Sequence, residues 1–277
     1  MRWIIGDIHG MLQPLATLLL TARQRDPQAR FLFVGDYVNR GPDSRNVIDL
    51  LLALKSEGAA RFARGNHDDV FDLLLNARCY ADEVAATDPL AAFAWFMQFG
   101  LANTLNSYGI DYSELLNLES RPTLAKLRSI LNSVPEEHRQ FIRNLEPVID
   151  EPDLFVAHAM WDVAESTDAS DMAAHLAAHK AARHTLLWGR YKKADLARPK
   201  WWTRSGFFGH TPISNYTGSR STRNVPVVGP SIVLLDTAAA LGAHGRLTAY
   251  CAETREFLQA DPSGRLLKPE PAVEAKA

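Results

Sequence analysis

The first third of the chain alternates short apolar runs with longer amphipathic segments. Three runs, residues 3–5, 31–34 and 59–63, are rich in aliphatic and aromatic residues and precede glycine-containing turns, which is typical of buried β-strands. Between them, apolar residues recur at helical spacing over residues 12–19 and 47–54. This strand–helix order predicts an α/β layer built from right-handed crossovers.

The pattern changes over residues from about 77 to 145. This block is mostly helical in its spacing, and Trp95, Phe96, Phe99 and Leu101 form one apolar face. Prolines at positions 89, 122 and 135 divide it into shorter segments. We therefore expect a helical insert within a single domain of residues 1–262.

Strand patterns return at residues 154–157, 206–208, 231–235 and 246–251, with turn signals between them. They predict a second sheet that is more antiparallel than the first. Residues 263–277 are rich in proline, alanine, glutamate and lysine, and we expect this tail to be disordered.

Composition narrows the possible functions. With 277 residues, 47% of them hydrophobic, the chain can bury a sizeable core. Its formal net charge of −2 gives no general attraction to nucleic acid or anionic membrane. Cys79 and Cys251 fit no metal or redox spacing, which is typical of a reducing compartment. The chain shows no signal-peptide pattern and no apolar run of membrane-spanning length, so we expect a cytoplasmic protein without a membrane partner.

Possible metal ligands follow the predicted strands. Because neighbouring strands deliver their carboxyl-end loops to one edge, these side chains are expected to converge. The mixed oxygen and nitrogen set suits Mn²⁺, Fe or Zn²⁺ better than Ca²⁺. Taken singly, each residue also fits a bland role, such as a turn aspartate, a helix cap or a core histidine. The residues are Asp7, His9, Asp36, Asn66, His67, His158 and His210.

The order of these motifs resembles a known family. Gly-Asp-x-His-Gly at 6–10, Gly-Asp-x-x-x-Arg-Gly at 35–41 and Gly-Asn-His-Asp at 65–68 precede a strand-end His158 and Gly-His-Thr-Pro at 209–212. The set is similar to the calcineurin-like metallophosphoesterases, in particular the phosphoprotein-phosphatase branch with its bacterial serine/threonine phosphatases and diadenosine tetraphosphate hydrolases. This resemblance implies an α/β fold in which two mixed sheets form a sandwich flanked by helices.

The resemblance also implies roles for individual residues. Two divalent ions, Mn²⁺ by preference with Fe or Zn²⁺ as alternatives, would hold a bridging water that attacks phosphorus. His67 would be the general acid, and Arg40 and Arg190 would bind the phosphate oxygens, with Asn66 beside them. The first ion would be held by Asp7, His9 and Asp36, and the second by Asp36, Asn66, His158 and His210.

One position departs from the family pattern. The protein-phosphatase branch usually has an aspartate at the position of Asn39, where it orients the catalytic histidine and stabilises its charged form. An asparagine can still orient the ring, but it supplies no charge, so we expect a less basic His67. The asparagine therefore favours phosphoanhydride over phosphoprotein substrates.

Three functions stay open on the sequence. The leading one is hydrolysis of phosphomonoesters, as by a serine/threonine protein phosphatase, and the alternative is hydrolysis of dinucleoside polyphosphates. The lesser alternative is a catalytically impaired relative that binds nucleic acid, since residues 190–204 are basic and contain Trp201 and Trp202. These two tryptophans could stack an adenine or simply pack on the core. The substrate partner is thus a phosphorylated protein or a nucleotide, and the oligomeric state is open.

Overall fold

The computed structural model describes residues 1–81, 88–162, 171–217 and 224–275. Its strands are β1 (Arg2–Ile5), β2 (Arg30–Phe33), β3 (Ala60–Phe62), β4 (Ile149–Asp150), β5 (Leu154–Val156), β6 (Ser205–Phe208), β7 (Val227–Val228), β8 (Ile232–Leu234), β9 (Leu247–Cys251), β10 (Phe257–Ala260) and β11 (Val273–Glu274). Its helices are α1 (Leu12–Arg25), α2 (Ser44–Ser56), α3 (Asn66–Asn76), α4 (Pro89–Met97), α5 (Leu101–Ser107), α6 (Tyr112–Ser120), α7 (Leu124–Leu131), α8 (Glu136–Arg143), α9 (Met172–Ala178), α10 (Lys180–Trp188), α11 (Lys193–Leu196) and α12 (Ser214–Thr217).

The strands form two mixed sheets. The first has the order β10-β9-β1-β2-β3, with β1, β2 and β3 parallel and β9 antiparallel to β1. The second has the order β11-β7-β8-β6-β5-β4, with β5, β6 and β8 parallel, β4 antiparallel to β5, β7 antiparallel to β8 and β11 parallel to β7. The prediction of two mixed sheets flanked by helices is confirmed.

Two details of the second sheet were predicted wrongly. Its central strands are parallel, whereas short strands with intervening turns predicted a more antiparallel sheet. Residues 247–251 join the first sheet as β9, because β9 pairs with the otherwise open edge of β1. Long-range pairing of this kind leaves no local signal in the sequence.

Alternating side chains divide the core into layers. In β1, Ile4 points into the space between the two sheets, where it packs in one cluster with Val156 and Leu235. Trp3 and Ile5 point the opposite way, into the larger cluster that the helices cover. Both faces of the parallel strands are therefore buried, which explains their continuous apolar sequence.

The insert helices α4–α8 pack on the outer side of the first sheet. Phe93 and Phe96 of α4 and Leu127 of α7 share a hydrophobic cluster with Val47 of α2. Helix α4 begins at Pro89 because the Asp88 carboxylate caps it, accepting hydrogen bonds from the backbone of its first turn. These helices occupy the predicted insert region, and residues 82–87 lie outside the described ranges.

The carboxyl-terminal tail contains a short strand that the sequence does not predict. Val273–Glu274 pairs in parallel with β7, and the backbone of Val273 and Ala275 donates hydrogen bonds to Pro226 and Val228. Val273 and Glu274 therefore form an edge strand within the tail, for which the sequence predicts disorder. Residues 276–277 lie outside the description. Across the described ranges, every helix is too short or too polar to cross a bilayer.

Candidate dinuclear metal site

Six parallel strands deliver polar side chains to one rim of the sandwich. The strands β1, β2 and β3 of one sheet and β5, β6 and β8 of the other run parallel within their sheets, so their carboxyl ends each open onto a loop there. The buried residues on these loops are Asp7, Asp36, Asn66, His158, His210 and Asp236.

The loops adopt a strained backbone. Five non-glycine residues have a left-handed φ between 48° and 70°, namely His9, Asp36, Asn39, Arg40 and His210. Such strain concentrates at functional sites, where the surrounding fold maintains it. Gly209 is needed for a close approach, because a Cβ atom there would lie 1.9 Å from Oδ1 of Asp7.

Two histidines face the Asp36 carboxylate. Nε2 of His9 lies 3.5 Å from Oδ2 of Asp36, and Nε2 of His158 lies 3.4 Å from Oδ1. The opposite ring nitrogens, Nδ1, donate hydrogen bonds of 2.9 Å to the backbone carbonyls of Val38 and Val34. This orientation leaves a lone pair on each Nε2 directed at the carboxylate, as in metal-binding histidines.

Asn66 forms a second group of possible ligands beside Asp36. Its Oδ1 atom lies 2.8 Å from Nε2 of His158 and 2.9 Å from Nδ1 of His210. Asp7 contacts this second group, since its Oδ2 accepts a 2.9 Å hydrogen bond from the His210 backbone nitrogen. The six predicted ligands are thus brought together: Asp7, His9 and His158 lie around Asp36, and Asn66 and His210 join them through His158 and Asp7.

The donor set fits divalent cations. Oδ1 of Asp7 is buried and has no hydrogen-bond partner among the described residues. Burial, and then the negative charges of Asp236 and Asp36, raise the pKa of Asp7 well above its ordinary value, and burial also raises the pKa of Asp36. Buried acceptors of this kind call for a compensating positive charge. The chemistry of these buried carboxylates and imidazoles therefore fits divalent cations, which they would hold.

Metal binding should release protons from the carboxylates. Burial lowers the pKa of His9 and of His158 to about 3, so both are neutral at pH 7 and release none. Asp7 and Asp36 have raised pKa values, so the metal-free site holds protons that a cation displaces, and apparent affinity rises with pH. Calorimetry of Mn²⁺ binding in buffers of different ionisation enthalpy measures this release. A buffer-independent enthalpy would contradict it.

Two further buried carboxylates were missed as functional groups in the sequence. Asp68 accepts hydrogen bonds from the backbone nitrogens of Asp36, Tyr37 and Gly65, at 2.8, 3.0 and 2.9 Å. It therefore joins the loop after β2 to the start of α3. From the sequence alone, Asp68 is expected only to place a negative charge at the start of a helix. Asp236 follows β8 and adds negative charge beside Asp7. This proximity depends on the position of β8 in the second sheet, so the local sequence does not show it.

His67 stands at the edge of the cluster with a neutral partner. Its Nδ1 atom lies 2.9 Å from Nδ2 of Asn39, whose Oδ1 accepts a 3.0 Å hydrogen bond from the Thr104 hydroxyl. The His67 ring packs against His9 and Phe96 at centroid distances of 4.8 and 5.1 Å. Burial, followed by the positive environment of the site, lowers the pKa of His67 well below its usual value.

A cleft of about 80 Å³ leads to this cluster. Arg40 and Arg190 line it, together with the rings of Phe96, Phe99 and Trp188. Nε of Arg40 is buried and has no hydrogen-bond partner in the described ranges, while Arg190 donates a 2.9 Å hydrogen bond to the Thr211 hydroxyl. The two guanidinium groups therefore place positive charge in the cleft beside the cluster of carboxylates and imidazoles.

Trp201 and Trp202 do not line the cleft. Trp202 is buried against Phe155 at a centroid distance of 5.7 Å, and Trp201 packs on the same cluster. In the basic stretch around them, Lys200 pairs with Asp195 and Arg204 with Asp150. Their structural role is core packing, and no observation here favours nucleic-acid binding.

Comparison with known proteins identifies the class. A model of the calcineurin-like phosphoesterase family matches residues 2–214. The chain belongs to this family, which confirms the resemblance seen in its motifs. The family uses a dinuclear divalent metal centre, so the prediction of a metal-dependent hydrolase is confirmed at the level of the family.

The matching relatives include two kinds of tetraphosphatase. A symmetrical bis(5'-nucleosyl)-tetraphosphatase of Ralstonia nicotianae is 45% identical over 64 residues, which are 23% of this chain and 22% of the relative. An asymmetrical bis(5'-nucleosyl)-tetraphosphatase of Oceanobacillus iheyensis is 40% identical over 72 residues, which are 23% of this chain and 29% of the relative. The matches therefore span less than a third of each relative.

The solved structures that match include two protein phosphatases. A cold-active protein tyrosine phosphatase has a TM-score of 0.50 and 14% identity, covering 96% of this chain and 77% of its own. A serine/threonine phosphatase from Saccharomyces cerevisiae has a TM-score of 0.48 and 15% identity, covering 91% of this chain and 72% of its own. At this identity the likeness concerns the fold alone.

Proposed function

We propose that the protein hydrolyses a phosphoanhydride bond of a dinucleoside polyphosphate. The observation that carries this proposal is the pairing of His67 with the neutral amide of Asn39 instead of a carboxylate. With the amide nitrogen of Asn39 donating to Nδ1, the proton of His67 resides on Nε2 and the imidazole is neutral. The low pKa of the buried His67 ring agrees with this neutral form.

A neutral imidazole selects the leaving group. It donates a hydrogen bond through Nε2 but is a poor donor of a whole proton. An alcohol leaving from a phosphomonoester needs that proton, whereas a nucleotide leaving from an anhydride departs as a stable phosphate anion. Because the Asn39 amide that pairs with His67 is neutral, the site favours hydrolysis of an anhydride over hydrolysis of a phosphoprotein.

The other residues bind and orient the substrate. The divalent cations, Mn²⁺ by preference for this mixed ligand set, supply Lewis acidity and a water of lowered pKa when bound. Asp7, His9, Asp36, Asn66, His158 and His210 would hold them. Arg40 and Arg190 would hold the phosphate oxygens, so that the His67 side of the cleft faces the leaving group.

The names of the relatives support the same substrate class. Both matching tetraphosphatases are named for bis(5'-nucleosyl) tetraphosphates, although each match covers only part of the relative. The similar protein phosphatases share the fold and nothing closer. Serine/threonine phosphatase activity, which led in the sequence analysis, thus gives way to the nucleotide alternative.

A substrate panel tests the proposal directly. With Mn²⁺ added, kcat/KM for diadenosine tetraphosphate should exceed the values for phosphoserine peptides and p-nitrophenyl phosphate by at least about 100-fold, which is about 2.7 kcal/mol in transition-state binding. Steady-state assays of phosphate or nucleotide release measure these values. A phosphopeptide as the best substrate would overturn the proposal.

Replacing Asn39 by aspartate should change the preference of the enzyme. A carboxylate partner favours protonated His67, and each unit by which its pKa rises increases the protonated fraction about tenfold. We expect kcat for alkyl phosphates to rise about tenfold relative to kcat for the tetraphosphate. Asn117→Asp, on the exposed face of α6, is the matched control. Equal changes on both substrate classes would show that the charge on His67 does not select the leaving group.

A further inference from the structure

An apolar cavity of about 500 Å³ lies beside the cleft, between α3, α4 and α10. Its walls include Val70 and Leu73 of α3, Ala91 and Trp95 of α4, and Trp188 of α10. Trp188 also lines the cleft above the metal cluster, so the two spaces are neighbours. A cavity of this volume and apolar character is typical of sites that bind a small organic group.

Flat aromatic rings form one wall of this cavity. The Trp95 and Trp188 rings are stacked at a centroid distance of 5.6 Å with 24° between their planes. The His184 ring stacks on Trp188 at 6.4 Å and 20°. Trp95 is 44% exposed, so part of its aromatic surface is open to a ligand.

The same wall continues to the proposed leaving-group side of the cleft. The Trp95 ring contacts Phe96 at a centroid distance of 5.2 Å, and Phe96 contacts His67 at 5.1 Å. A group attached to the phosphate that leaves past His67 would therefore lie next to Trp95. The cavity therefore adjoins the side of the cleft on which His67 lies.

We propose that this cavity binds a purine base of the nucleotide that leaves, by stacking on Trp95. This inference rests on the proposed function and adds the residue that recognises the base. A base is flat and aromatic like the wall, and stacking on an aromatic side chain is a main source of affinity for bases. Asp88 caps α4 through Oδ1, and its carboxylate at the cavity supplies an acceptor for the exocyclic amino group of a purine.

The test compares substrates with and without a base in the metal-loaded enzyme. Trp95→Ala should lower the ratio of kcat/KM for diadenosine tetraphosphate to kcat/KM for inorganic tripolyphosphate by about 10- to 100-fold, mostly through KM. Trp95→Phe should retain most of the ratio because it keeps an aromatic face. Leu124→Ala, which also shortens an exposed apolar side chain of the insert, should leave the ratio unchanged.

A binding measurement separates this inference from the proposed function. Calorimetry should show ADP binding about 10- to 100-fold more weakly to Trp95→Ala, with pyrophosphate binding unaltered. If the tetraphosphate is not a substrate but ADP binding still depends on Trp95, the function fails and the base site stands. If the tetraphosphate is hydrolysed and Trp95→Ala changes neither the ratio nor ADP binding, the base site is overturned. Loss of phosphopeptide turnover alone in Trp95→Ala would likewise overturn it in favour of a peptide side chain.

Discussion

Replacing Asp36 by asparagine is expected to abolish the paired metal site and lower kcat by at least about 10³-fold. Asp36 lies between the His9 and His158 nitrogens, so both proposed cations depend on its negative charge. Asparagine has the same shape, and its carbonyl oxygen can still accept the 2.9 Å hydrogen bond from the His67 backbone nitrogen. The chain should therefore fold while binding fewer than two Mn²⁺ ions, as measured by elemental analysis after dialysis.

Thermal unfolding distinguishes loss of metal from loss of fold. Burial raises the pKa of Asp36, so the amide removes a buried acid and the metal-free variant should be at least as stable as the metal-free parent. Mn²⁺ at 100 times its Kd stabilises the parent by about 2.7 kcal/mol for each ion bound, and the variant should lose this gain for every ion that it no longer binds. Asp111→Asn keeps the cap of α6 and serves as the matched control. Two ions bound to Asp36→Asn would refute the bridging role.

Replacing His67 by asparagine should lower kcat by about 10²–10³-fold without changing metal content. The expected loss is that of one hydrogen-bond donor to a developing anion, because the ring is neutral and donates through Nε2. The loss should be smaller for diadenosine tetraphosphate than for an alkyl phosphate, whose leaving oxygen is more basic. Single-turnover rates with both substrates measure the difference.

The control for His67 is an imidazole away from the site. His244→Asn replaces an exposed histidine in the loop before β9 and should leave both rates unchanged. If His67→Asn also loses metal, then the imidazole of His67 helps to hold the ions. Its ligand atom lies within 4.8 Å of those of His9 and Asp36. A kcat equal to that of the parent would remove His67 from the reaction.

The sequence predicted which polar side chains come together because each of them lies at the end of a strand. A carboxylate directly after a buried strand, as in Gly6-Asp7 and Gly35-Asp36, is a local signal because its burial is costly without a positive partner. Parallel pairing then brings the loops together without further information. The fold class followed from the same alternation of strands and helices.

What the sequence did not show depends on contacts between distant elements. Thr104, from the insert, fixes the Asn39 amide, and nothing in its local sequence marks that role. Trp95 has the spacing of a core residue, and its exposure appears only when α4 packs beside α10. For Trp201 and Trp202 the sequence left stacking on an adenine and core packing open, and the structure buries Trp202 in the core with Trp201 packed against it. The pairing of β11 is likewise a long-range event.

A crystal structure of the protein soaked in Mn²⁺, with anomalous differences recorded for manganese, tests the central claim most directly. The account predicts two peaks about 3.5–4 Å apart on either side of the Asp36 carboxylate, one near Asp7 and His9 and the other near Asn66 and His210. A single peak, or two peaks that do not share Asp36, would contradict it.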